Sequence, residues 1–216
     1  MELLSIVQAR MVALVQVQQW DPLGKTLTLE ALAKIGGRYS FTKNPTKLEE
    51  VDFQKGVELQ EGRLGDIRID RIAIFLNGIV IDTRSSTEDS ERVLDDILNL
   101  ANEAFGAIIT PARHSFASQL IFRSEMRLTA LNPILPRIAD VLTKRTSADL
   151  KHPFTFEPTA IQLNVDTAQV KTAPTLFSIE RRAEIPFAEN TYFSSAPART
   201  GEHIEIIKAF EAVLIG

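Results

Sequence analysis

The chain has 216 residues, 44% of them hydrophobic and 24% charged, with a net charge of −4 and no cysteine. That is ordinary globular composition. It excludes disulfides, thiolate catalysis and cysteine-built metal centres, and it lacks the basic surplus of a nucleic-acid binder. No run approaches the roughly 18 apolar residues of a membrane span. The opening Met1-Glu2-Leu3-Leu4-Ser5-Ile6 lacks the basic lead of a signal peptide, so a cytoplasmic protein is expected.

Residues 3–18 are rich in β-branched types, and Val15 and Val17 alternate with Gln16 and Gln18. A strand is expected there, bent near Ala9-Arg10, with a short helix as the alternative. Trp20-Asp21-Pro22-Leu23-Gly24 reads as a turn. Thr26 or Thr28 then caps a short helix carrying Leu29, Leu32, Ala33 and Ile35, ended by Gly36-Gly37. Arg38–Thr42 is expected to be extended, with Tyr39 and Phe41 on one side. Residues 45–65 are polar and weakly periodic. They read as a long loop anchored by Leu48, Val51 and Phe53, with a short strand at Gln54–Gln60.

The strongest pattern follows. Ile67–Thr83 reads as a hairpin turning at Asn77-Gly78, a pair that tolerates the positive φ angles of a type I′ turn. Ile72, Ile74 and Leu76 share one face and Ala73 and Phe75 the other. Both faces are apolar near the turn, which marks Ile72, Ile74, Phe75, Ile79 and Val80 as a candidate interface. Ser86 or Thr87 then caps a helix with Glu88, Asp89 and Glu91 in its first turn. Its stripe is Val93, Leu94, Ile97, Leu98, Ala101, Ala104 and Phe105, and Gly106 is a natural stop.

Ser115–Leu128 alternates as a strand, and Leu131–Arg145 is expected to be a helix with Leu135, Ile138, Ala139 and Leu142 as its apolar stripe. Pro133 is tolerated in its first turn. Thr146–Pro158 reads as a connection. Thr159–Val165 has the pattern of a half-buried strand, paired with Leu176–Ile185, and Tyr192-Phe193 is expected at a sheet edge. Thr200 caps a last helix whose stripe is Ile204, Ile207, Phe210 and Leu214, widened by Ile206 and Val213. The expected fold is α+β: a largely antiparallel sheet built from strand-strand-helix units, with helices packed on one face. The expectation is one compact domain over 1–216, with 1–110 and 111–216 as two pseudo-equivalent halves.

Chemistry is sparse. The three histidines, His114, His152 and His203, show no metal-ligand spacing, and no metal or cofactor is expected. There is no Gly-x-Ser-x-Gly. Ser194 and Ser195 with His203 are the best nucleophile–base candidates, against the plainer reading of a polar loop feeding a helix start. Gly24-Lys25-Thr26 lacks the upstream glycine of a phosphate loop. Asp66, Asp70 and Asp82 are placed to gather on the hairpin, whereas Asp95-Asp96 falls on the outer face of its helix. Arg181, Arg182 and Arg199 with the start of the last helix make a candidate anion pocket. The expected function is a non-catalytic protein that binds a protein partner or itself, without membrane or nucleic acid. The alternatives are a hydrolase or transferase at Ser194, Ser195 and His203, or an anion-binding protein.

Overall fold

The computed structural model describes residues 1–16, 27–132, 134–168 and 173–215. The turn expected at Trp20–Gly24, the Gly24-Lys25-Thr26 stretch, the end of the first strand beyond Gln16 and Pro133 lie outside them. The fold is α+β, with an eight-stranded antiparallel sheet of order β2-β3-β4-β1-β5-β8-β7-β6. The chain divides into two compact units. The first comprises Ile6–Gln119 and Pro197–Glu202; the second comprises Met1–Ser5, Leu120–Ala196 and His203–Gly216.

The first unit holds most of β1 (Glu2–Leu14), α1 (Leu29–Tyr39), β2 (Val57–Leu64), β3 (Ile67–Phe75), β4 (Gly78–Thr83), α2 (Thr87–Phe105) and the start of β5 (Arg113–Arg123). Alternation dictates its core. Met11 and Ala13 of β1, Leu59 of β2, Ile72 and Ile74 of β3, and Ile79 and Ile81 of β4 line one face, where they meet Leu32 and Ile35 of α1 and Val93, Leu94 and Ile97 of α2. Each of the large side chains contributes about 1.5–3 kcal/mol by leaving water. Ser86 caps α2 by accepting from the Asp89 amide, and Gly106 ends it at φ 68°. Both were readable from residue type.

Several expectations need correction. The β3–β4 link is Leu76-Asn77, because Phe75 pairs with Gly78, and neither Asn77 nor Gly78 has positive φ. Gly78 serves another purpose: a Cβ there would lie 2.6 Å from the Ala13 carbonyl oxygen of the neighbouring strand. The hairpin glycine is Gly65 (φ 59°), which with Asp66 joins β2 to β3 in two residues. The short strand expected at Gln54–Gln60 is an eight-residue strand shifted to Val57–Leu64, so α2 follows a three-strand meander. Helix α1 does not stop at Gly36-Gly37. It runs to Tyr39 and ends at Ser40 in the left-handed region. Gly36 packs against Asn44, and Tyr39, buried instead of extended, donates its hydroxyl to Asp96 at 2.6 Å. Asp96 also accepts from Arg38, so it does not face open solvent as expected.

On the opposite face of these strands, Asp82 is buried and takes charge-assisted hydrogen bonds from Arg10 and Arg71, and Arg71 continues to Glu58. Asp70 is held instead by Arg84. Asp70 and Asp82 therefore have separate environments.

The second unit holds the beginning of β1, the end of β5, α3 (Ile134–Leu150), β6 (Ala160–Leu163), β7 (Phe177–Arg181), β8 (Thr191–Ala196) and most of α4 (Thr200–Ile215). Strand β8 lies between β5 and β7, so Tyr192-Phe193 is not at an edge. Tyr192 is buried, donates to the Met126 carbonyl and stacks on Phe122. Helix α3 starts where the Asn132 side chain accepts from the Ile134 amide, and it outlasts the expected stop at Arg145 by five residues. Its stripe is not buried: no residue of α3 is. Strand β6 is likewise exposed instead of half-buried. Helix α4 turns His203 and Ile207 inward.

Thr200 does not act as the simple cap expected of it. It is the first residue of α4, and its hydroxyl accepts from the Thr87 amide at 3.1 Å, while the Thr87 hydroxyl accepts from the Thr200 amide at 2.9 Å. Each helix start thus satisfies one orphan donor of the other.

Candidate functional site

Three groups of residues were singled out by sequence, and the structure places each differently. The hairpin residues Ile72, Ile74 and Ile79 are buried under α1 and α2. Phe75 and Val80, half-buried, are the two members of that set with surface to offer.

Ser194 and His203 meet. Ser194 Oγ lies 2.7 Å from the Ser178 carbonyl oxygen and 2.8 Å from His203 Nε2. The carbonyl only accepts, so the hydroxyl proton goes to it, and Nε2–H donates to Ser194 Oγ. His203 Nδ1 is then a bare acceptor, buried without a partner. Burial alone pushes the imidazole down to about 4. In an activated serine the hydroxyl donates to the imidazole; here the donation runs the other way, and both side chains are fully buried. Ser195, the next residue on β8, points to the other face of the strand.

The three arginines have different partners. Arg199, in the first unit, forms a two-pronged pair with Glu91, with a second contact of 2.7 Å, and covers the Phe116 ring at 4.0 Å. That pairing holds the Glu91 carboxyl below its usual range. Arg182 is exposed. Arg181, in the second unit, is different: its side chain is only 9% exposed.

Arg181 lines a cleft of about 710 Å³. Its walls come from four segments of the second unit. The turn after β5 supplies Arg127 and Thr129. Pro136, Ala139 and Asp140 come from α3, and Phe156, Glu157 and Pro158 from an extended segment. Phe187 and Asn190 follow β7. Arg181 donates to the Phe187 carbonyl at 2.8 Å and to Glu157 at 3.2 Å, and its guanidinium carbon sits 4.8 Å from the Phe187 ring and 5.5 Å from that of Tyr192.

The extended segment is laid along α3 by two hydrogen bonds. The Phe154 amide donates to Ser147 Oγ, and the Phe156 amide to Thr143 Oγ1. Thr143 and Ser147 are four apart and share a helix face. On its other side the segment borders a second groove of about 370 Å³, lined by Leu135, Ile138, Leu142, Phe156 and Ala160. Sequence reasoning read this stripe as an apolar helix face and did not single out Arg127, Asp140 or Glu157 as site residues. The signal available was the run of turn residues at His152-Pro153 and Glu157-Pro158, which keeps this stretch extended.

No group of His, Asp and Glu among the described residues is placed to hold a metal ion, and no described helix is long and apolar enough to cross a membrane. No protein-family model matches the chain, and no curated protein matches it in sequence.

Proposed function

We propose that this is a non-catalytic protein that acts by binding protein, with a second copy as its partner, through α3 and the edge strand β6. One observation carries the reading: a 17-residue helix keeps its apolar stripe in water. Ile138 and Val141 are each 52% exposed, and Ile134, Leu135 and Leu142 are exposed as well. Helices of this length draw most of their stability from a covered apolar face, and contiguous apolar patches of this kind mark interaction sites. Next to it, β6 pairs with β7 on one side, and among the described residues no strand pairs with its other side. A free strand edge takes an added strand through its own N–H and C=O groups. A second β6, antiparallel across a two-fold axis, offers the matching row. The inward-directed Ser194–His203 pair supports the non-catalytic side of the proposal.

The test is the mass in solution by light scattering across a concentration series, on the native chain and on Ile138→Asp and Val80→Lys variants. A dimer that Ile138→Asp dissociates while its circular dichroism at about 20 °C stays native, and that Val80→Lys leaves intact, is the expected result. A monomer at every concentration overturns self-association. A dimer broken only by Val80→Lys moves the contact to the β3–β4 hairpin.

A further inference from the structure

The polar cleft carries four charged groups, of which, among the described residues, the chain pairs only Arg181 with Glu157. Two cations, Arg127 and Arg181, and two carboxylates, Asp140 and Glu157, line it. Arg181 has five N–H donors in a planar fork. One goes to the Phe187 carbonyl and one to Glu157; Nε–H is buried with no acceptor. A guanidinium more than nine-tenths buried and held by a single carboxylate is under-satisfied, since buried donors almost always find acceptors. Arg127 and Asp140 are exposed at the cleft wall, and neither has an ion-pair or hydrogen-bond partner among the described residues for its charged group. The remaining lining mixes apolar residues, among them Pro136, Ala139, Phe156, Pro158 and Phe187, with the uncharged polar Thr129, Thr155 and Asn190.

A simple anion does not fit a cleft with as many acids as bases. A simple cation does not either. We infer that the cleft binds a small zwitterion with an apolar body, that is, an α-amino acid with an apolar or aromatic side chain. Its carboxylate lies between Arg127 and Arg181, where an arginine fork matches a planar carboxylate. Its ammonium faces Asp140, and its side chain rests against Phe156 and Phe187. Glu157 is the carboxylate already on Arg181, so the incoming carboxylate competes with it. The volume suits a small molecule with room to spare. The inference is independent of self-association, which rests on the apolar stripe of α3 and on β6.

The probe is L-phenylalanine, titrated into the full chain by ligand-observed NMR, beside 3-phenylpropionate, which lacks the ammonium, and phenethylamine, which lacks the carboxylate. The zwitterion binds, and each truncated compound binds about tenfold more weakly, the usual scale for one lost charge-assisted contact. Arg127→Gln and Asp140→Asn, both at exposed positions, keep the native melting temperature and weaken phenylalanine about tenfold. Glu157→Gln strengthens it several-fold by removing the competing carboxylate. Three results overturn the inference: no binding of phenylalanine to the native chain or to Glu157→Gln, phenylpropionate binding as tightly as phenylalanine, or affinity unchanged in both Arg127→Gln and Asp140→Asn.

Discussion

Replacing His203 with Gln changes how stability depends on pH. The imidazole is fully buried beside Ser194 and is pushed from 6.5 to about 4 by burial. Above pH 6.5 it is neutral in both folded and unfolded chains and contributes no slope. Between 6.5 and about 4 only the unfolded chain takes up the proton, so stability falls as the pH falls. Below about 4 both states are protonated and the slope ends. The total is about 3 kcal/mol, from 1.36 kcal/mol for each pKa unit. Gln keeps an N–H donor for Ser194 and removes the titration. Glu91 and Asp96, held low by Arg199 and Arg38, also weaken the fold in acid, but equally in both proteins. The difference between the two urea-denaturation series isolates the imidazole. Native protein should lose about 3 kcal/mol relative to His203→Gln between pH 7 and 4. Parallel curves would refute the buried, neutral histidine.

Gly78→Ala should cost about 3 kcal/mol, because the new methyl meets the Ala13 carbonyl, a backbone atom that cannot step aside. Gly65→Ala should cost about 1–2 kcal/mol through its left-handed backbone alone, since open space surrounds it, and Asn77→Ala less than about 0.5 kcal/mol. Thermal melts of the three separate a close approach from a turn requirement. Thr87→Ala and Thr200→Ala should each cost about 1–2 kcal/mol, and the double variant less than their sum, because each deletion already spoils the reciprocal pair; a double-mutant cycle by denaturation measures that shortfall.

Local chemistry made the first unit's centre legible. Ser86, the acidic first turn, the Val93–Ala101 stripe and Gly106 specify α2 within twenty residues. Asn77-Gly78 misled because a glycine demanded by a neighbouring strand looks the same in sequence as one demanded by a turn. Gly36-Gly37 misled because Tyr39, anchored by Asp96 from 57 residues away, outweighs the helix-weakening effect of glycine. At the cleft, Arg181 was legible as a charge but not as a buried one. Its partners Glu157 and Phe187 are brought to it by a strand pairing and a segment pinned on α3. Helix α3 shows the limit of periodicity: a stripe at period 3.6 says that a face is apolar, not what covers it.

The two outer strands are finished differently. Along β2, residues Thr42 and Lys43 lie against Gln60 and Glu61 through backbone hydrogen bonds, Glu61 sits at φ 60°, and Glu58 and Arg63 project charges outward. That edge is occupied and kinked, the usual defence against unwanted pairing. Strand β6 has no such guard among the described residues. Growth by strand addition needs two receptive edges per copy, and the described residues present one. Association through β6 would use the one unguarded edge among the described residues and terminate at a pair, so rising concentration should fill dimers and not lengthen fibres.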